Sequence, residues 1–149
     1  MFLILAFIGC KKTDSCLLTE KEIFQLKTDI ITRGSQASYA RLENYYSSKI
    51  NYAEMFPYNI IMINKFNNNY AHNKILEVII KLNNNGKFEL SAIKKLNLGD
   101  RDFVIYYLLK GASQENPESI KTLSELYNNG WGVPKDLKKG DSLQSVYVI

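Results

Sequence analysis

The sequence predicts an all-α protein in which α/α helical-hairpin repeats stack into a short solenoid of about six to eight helices. Three observations carry that prediction. Ser119 to Gly140, SIKTLSELYNNGWGVPKDLKKG, reads as two amphipathic segments joined by a tight turn. A small residue followed at intervals of four by two large apolar or aromatic ones recurs as Ser38-Leu42-Tyr46, Ala71-Ile75-Ile79 and Ser119-Leu123-Tyr127. Asn and Gly clusters separate these segments, and both residues tolerate the left-handed backbone that ends a helix.

The elements follow in chain order. Thr19 and Glu22 have the spacing of a capping box, so a helix is expected over about 20–33, with Ile23, Leu26, Ile30 and Ile31 on one side and Gly34 as its stop. Ser35 caps a second helix that carries Ala37, Ala40, Leu42, Tyr45 and Tyr46. Asn51 or Tyr52 to Phe66 reads as a third, with Pro57 near its first turns. Its dense β-branched residues keep a strand as the other reading. Asn67-Asn68-Asn69 closes it, and the next helix runs from Ala71 to about Leu82, before Asn83-Asn84-Asn85-Gly86.

Ser38 to Ala71 is 33 residues and Ala71 to Ser119 is 48. The first is the period of a two-helix repeat; the second leaves room for an extra helix over Phe88–Asn97. Leu98-Gly99 breaks that helix, and Asp100 can cap RDFVIYYLLKGAS. Pro117 suits the first turn of the following helix, because its missing N–H would be unpaired there anyway. Ile120, Leu123, Leu126 and Tyr127 form its stripe, Asn128-Asn129-Gly130 ends it, and Gly132 and Pro134 turn the chain. Asp136 then caps a last helix with Leu137 and Leu143. That helix is short, so the array reads as uncapped or truncated.

The order of residues from Ser119 to Gly140 resembles the Sel-one-like repeat, a relative of the tetratricopeptide repeat. Ser119, Leu123, Ser124, Tyr127, Gly130, Gly132, Val133, Asp136, Lys139 and Gly140 stand at the family's signature places. The match covers about one repeat, best over 117–143, and LYxxGxGVxxDxxK is its specific core. Tyr107, Lys110, Gly111 and Ala112 resemble the end of the family's second helix. The resemblance implies a protein-binding adaptor or scaffold without enzymatic activity.

Composition is that of a globular domain, with 46% hydrophobic and 23% charged residues. The net charge of +4 is modest and its lysines are spread out, so nucleic acid is not an expected partner. The N-terminus is more telling. Phe2 to Gly9, FLILAFIG, is too short to span a bilayer and reads as the core of a secretory signal over 1–9. Gly9-Cys10 resembles the junction of bacterial lipoprotein signals, which implies lipidation of Cys10, a tether over 10–18 and a repeat domain over 19–149. The implied location is the bacterial cell envelope, periplasm-facing; Lys11 rather than Asp after Cys10 implies the outer membrane. A buried N-terminal strand is the alternative, in which case Cys10 and Cys16 are free to form a short-loop disulfide.

No cofactor, metal site or catalytic set is expected. The two cysteines and distant His72 do not supply four zinc ligands at a usual spacing. His72, the only histidine, has no nearby nucleophile and reads as a surface or capping residue. Asp100 with Asp102, and Glu115 with Glu118, are close carboxylate pairs at helix starts, where negative charge is favoured anyway. An envelope hydrolase using them is the enzymatic alternative, and requires both carboxylates of a pair to face one pocket. Gly130 and Gly132 lack the third glycine and preceding strand of a phosphate loop.

Tyr is better placed for recognition. Tyr45, Tyr46 and Tyr52, with Arg41 and Lys49 nearby, are the candidate partner-binding residues, because Tyr adds contact area with little flexibility. Helix packing and simple solvation are the competing readings of this group. The expected function is a lipid-anchored protein-binding module. Bacterial lipoproteins of the resembled kind include proteins that neutralise toxin effectors, which makes an immunity protein the implied role and an envelope scaffold the alternative. A degenerate fragment is a third reading. Replacing Cys10 by Ser is expected to abolish lipid labelling and release the protein from membrane fractions; unchanged fractionation would remove the lipoprotein assignment.

Overall fold

The computed structural model describes residues 17–147. The signal-like segment, Cys10, Cys16 and most of the tether lie outside the described residues. Among those described, every regular element is helical: α1 (Glu20–Arg33), α2 (Gln36–Ser48), a 3-10 turn (Tyr52–Met55), α3 (Phe56–Phe66), α4 (Tyr70–Asn83), a second 3-10 segment (Leu90–Lys95), α5 (Leu98–Ser113), α6 (Pro117–Asn129) and α7 (Leu137–Tyr147). Helices pack on sequence neighbours from α3 through α7, and α1 packs on both α2 and α3, giving an all-α array of adjacent helical pairs.

Local chemistry sets most of the boundaries. Thr19 Oγ1 accepts from the Glu22 amide at 3.2 Å, while the Glu22 carboxylate accepts from the Thr19 amide at 2.9 Å. That reciprocal cap satisfies two orphan donors of α1. Gly34 ends α1 with φ of 63°. Asn67 does the same for α3 at 51°, and Gly130 for α6 at 66°. Asn116 Oδ1 accepts from the Ser119 amide at 2.7 Å, with Pro117 in the first turn. Asp136 Oδ1 accepts from the Lys139 amide at 3.0 Å and starts α7.

Three boundaries differ from expectation. The region from Tyr52 to Phe66 is a 3-10 turn leading into α3, since Pro57 belongs in a first turn and α3 begins beside it. Phe88–Asn97 supplies only a 3-10 segment over Leu90–Lys95. Leu98-Gly99 does not break the chain but forms the first turn of α5, because Asn97 is its cap. Asn97 Oδ1 accepts from the Asp100 amide at 2.9 Å, and Asn97 Nδ2 donates to the Asp100 carboxylate at 2.7 Å.

The recurring triplets are the buried stripes. Ser38, Leu42 and Tyr46 on α2, Ala71, Ile75 and Ile79 on α4, and Ser119, Leu123 and Tyr127 on α6 are all buried. Helix α4 buries a further stripe as well, His72, Leu76 and Ile80, because α3, α5 and α6 all pack on it. The three helices run parallel. Tyr70 and Lys74 of α4 contact Glu43 of α2, while Asn68, just before α4, bonds Gln36 at the start of α2. Asn116 and Ser119 of α6 meet Asn69 and Asn73 of α4 in the same order.

The hairpin of α6 and α7 is closed by close approach and by polar bonds across it. Gly132 has φ of 72°, and a Cβ there would lie 3.2 Å from Ile93. Val133 is half-buried against the core. Lys139 Nζ donates to the Tyr127 hydroxyl at 2.7 Å and sits 4.1 Å from the ring centroid. Ser124 Oγ donates to the Gly140 carbonyl at 2.8 Å. Leu123 is fully buried in the centre of this arrangement. Leu123→Ala is expected to cost about 2 to 5 kcal/mol in urea unfolding, whereas Leu109→Ala on an exposed face is expected to cost under about 1 kcal/mol.

Candidate functional site: a groove between parallel helices

An open groove of about 830 Å³ lies between α4 and α6, with Phe88 and Leu90 also in its lining. Its floor is a polar seam. Asn116 Nδ2 donates to the Asn69 carbonyl at 3.1 Å, Ser119 Oγ donates to Asn73 Oδ1 at 2.8 Å, and Asn73 Nδ2 donates to Thr122 Oγ1 at 3.0 Å. Each bond joins α4 to α6, so the seam fixes their register as well as satisfying the groups. Apolar surface borders it: Leu76 is buried beneath, while Tyr70 and Phe88 are about half exposed at 49% and 47%.

One wall is braced by an ionic network. Lys74 Nζ lies 2.7 Å from Glu43 and 2.8 Å from Glu77, and Lys81 bonds the other oxygen of Glu77. Tyr70 and Tyr52 present ring faces to Lys74 and Lys81, with centroids 5.0 and 4.5 Å away. Burial alone would raise the Glu77 carboxyl, but hydrogen bonds and charge from Lys74 and Lys81 outweigh it and hold the group below its ordinary value. Burial would likewise lower Lys74, and its bonds to Glu43 and Glu77 hold it raised instead. The spacing of Lys74, Glu77 and Lys81 is that of facing helix residues; Glu43 comes from the neighbouring helix.

The residues singled out from sequence are distributed differently. Arg41 is exposed and paired with Glu22 at 3.0 Å. Tyr45 is half-buried with its ring centroid 5.3 Å from that of Tyr46, and Tyr46 is buried against Lys27. Lys49 is an exposed residue following α2. Tyr52 lines a narrow space of about 10 Å³ beside Glu77 and Asn59. The other four line neither that space nor the groove. Tyr46, Tyr39 and Tyr58 are core residues, so packing accounts for much of the Tyr-rich first half.

His72 is neither a surface nor a capping residue. It is fully buried, with Nδ1 3.0 Å from the Tyr107 carbonyl oxygen and Nε2 3.0 Å from Gln114 Oε1. It sits on the further buried stripe of α4, which single-face periodicity does not anticipate. Of the acidic pairs, Glu118 lines the groove, whereas Asp100 lines a separate apolar cleft with Phe56, Leu82 and Phe103. Asp102 and Glu115 are exposed. Among the described residues no three His, Cys, Asp or Glu side chains gather as metal ligands, and no helix is long and apolar enough to cross a membrane.

No family model, curated protein or solved structure matches the chain. The groove was not legible locally, since its walls lie on helices whose facing residues are more than forty positions apart. The ionic wall has a pH signature. A carboxyl held low when folded contributes stability above about pH 5, and that contribution fades as pH falls through the ordinary value of 4.5 and then the folded one. The stability difference between wild type and Glu77→Gln in urea is expected to shrink between about pH 6 and pH 3. A constant difference would show that the network does not perturb Glu77.

Proposed function

We propose that the chain is a non-enzymatic protein-binding module, held at the bacterial envelope by a lipid on Cys10, that takes a polypeptide in the groove between α4 and α6. The groove is the observation that carries the reading. It is lined from Asn69 to Glu77 on one side and from Asn116 to Glu125 on the other, about 13 Å of helix, which matches about four residues of extended chain. The seam fixes its floor, and half-exposed aromatic rings stand at its edges ready to lose water on contact. Preorganisation of this kind lowers the ordering cost of association.

The Sel-one-like signature in α6 and α7 supports the adaptor class, and the eight apolar residues before Gly9-Cys10 support the anchor. Neutralisation of a toxin effector is the specific form of the reading, by analogy with lipoproteins carrying such repeats. An envelope scaffold is the second form. It is favoured by the outer face of α5, where Leu98, Tyr106 and Leu109 are exposed and offer a second apolar surface away from the groove-lining residues. The hydrolase reading gains no comparable support, because the groove is lined by Glu118 without Glu115 and the apolar cleft by Asp100 without Asp102.

The test is coexpression with the product of the adjacent gene. Co-purification and relief of toxicity are expected, with both lost in Thr122→Trp, which fills the groove, and retained in Ser113→Trp on an exposed site. Failure both to co-purify and to relieve toxicity counts against the toxin-neutralising role. Equal binding by the two Trp variants would move the contact out of the groove.

A further inference from the structure

We infer that the groove selects an extended segment of its partner in which basic residues alternate with large apolar ones. The inference rests on the reading of the groove as a polypeptide site and adds the chemistry of the occupant. The two walls differ electrically. On the α4 side, Lys74 is bound by both Glu43 and Glu77, and Lys81 by Glu77, so two ammonium groups face two carboxylates within the protein. That wall has no free charge to offer.

The α6 wall is different. Glu118 and Glu125 are exposed, line the groove, and have no ion-pair partner among the described residues. Lys121 lies between them, also exposed and unpaired among the described residues, so two carboxylates stand against one ammonium. The chain as a whole carries +4, which makes this an acidic strip on a basic protein. Glu118 and Glu125 are two helical turns apart, about 10 Å, the separation that arginine or lysine side chains two to four positions apart on an extended chain can reach. Thr122, between them on the same face, has its oxygen occupied by Asn73 but keeps its hydroxyl hydrogen for a main-chain carbonyl.

The apolar component comes from the other residues of the groove. Phe88 and Tyr70 are half exposed and Leu90 is partly buried, so alternate side chains of the segment can cover them while the rest meet the carboxylates. Alternation is what an extended chain supplies, since successive side chains point to opposite sides. An acidic segment would meet Glu118 and Glu125 as like charges, and that repulsion excludes partners as well as choosing them.

Fluorescence anisotropy with the folded protein tests this, using a labelled hexapeptide in which arginine alternates with leucine and its counterpart with glutamate for arginine. The basic peptide is expected to bind at least about tenfold more tightly. The Glu118→Lys/Glu125→Lys double variant is expected to lose about tenfold or more for it while remaining folded by circular dichroism, and the wild-type preference is expected to weaken with salt. Equal affinity for the two peptides, or full retention of basic-peptide binding in the double variant, overturns the charge selectivity. Thr122→Trp separates the two failures. If it abolishes binding of both peptides while they bind wild type equally, the groove stands and its charge preference falls; if it leaves binding untouched, the groove reading falls too.

Discussion

The structure depends on how closely α4, α5 and α6 approach one another at Gly111. A Cβ on that residue would lie 3.0 Å from the His72 ring and 3.0 Å from the Ser119 Cβ, and it would collide with the Ser119 hydroxyl. With only hydrogen at Gly111, α5 can press against the junction of α4 and α6 and hold them together. The consequences spread from there. Ser119 is close enough to bond Asn73, Asn73 to bond Thr122, and the seam they form is the floor of the groove. His72 belongs to the same joint, and its ring ties α4 to the α5 backbone and to Gln114 beyond it. A larger residue at Gly111 would open a polar seam to partial burial, where unmade hydrogen bonds are costly.

The same device recurs at the ends of the array. Gly34 turns the chain between α1 and α2 directly against the Phe66 ring, where a Cβ would collide with that ring, and with a left-handed φ that glycine adopts at no steric cost. Gly140 brings α7 against Asn128 at the end of α6, and the Ser124 hydroxyl bonds the Gly140 carbonyl across the gap. Helix pairs here are set by small residues at their crossings and by large apolar ones along their stripes. Register follows from the small residues, and stability chiefly from burial of the large ones.

Local features were legible and joint features were not. Thr19 with Glu22, Ser35, Gly34, Asn67, Gly130 and Asp136 act as the caps and stops their types imply, because capping is decided within one turn of chain. The stripes at Ser38, Ala71 and Ser119 were legible for the same reason. Asn97 takes the cap expected of Asp100, since an Asn three residues before an Asp fits the cap and lets the Asp serve it reciprocally. His72 escapes a one-face reading because a helix covered on several sides buries two stripes, and a polar residue outside the main stripe resembles surface. The groove needs residues such as Asn73 and Thr122 brought together from different helices. No local pattern announces that pairing.

The division of labour between the groove walls follows from where the charges are tied. On α4, Lys74 and Lys81 are held by carboxylates from α2 and from α4 itself, so that wall is rigid and electrically quiet. Truncating it would disturb a network and change stability along with any binding. On α6, the inner face is fixed by Ser119, Leu123 and Tyr127, while Glu118, Thr122 and Glu125 project from the outer turns, where two of the three are exposed. Substitution of Glu125 changes what the groove meets without changing what holds it, whereas Thr122 also accepts the seam bond from Asn73. Recognition can therefore diverge along one helix face while the joint beneath it keeps the fold, and the free charges of α6 are where a choice between partners is most cheaply made.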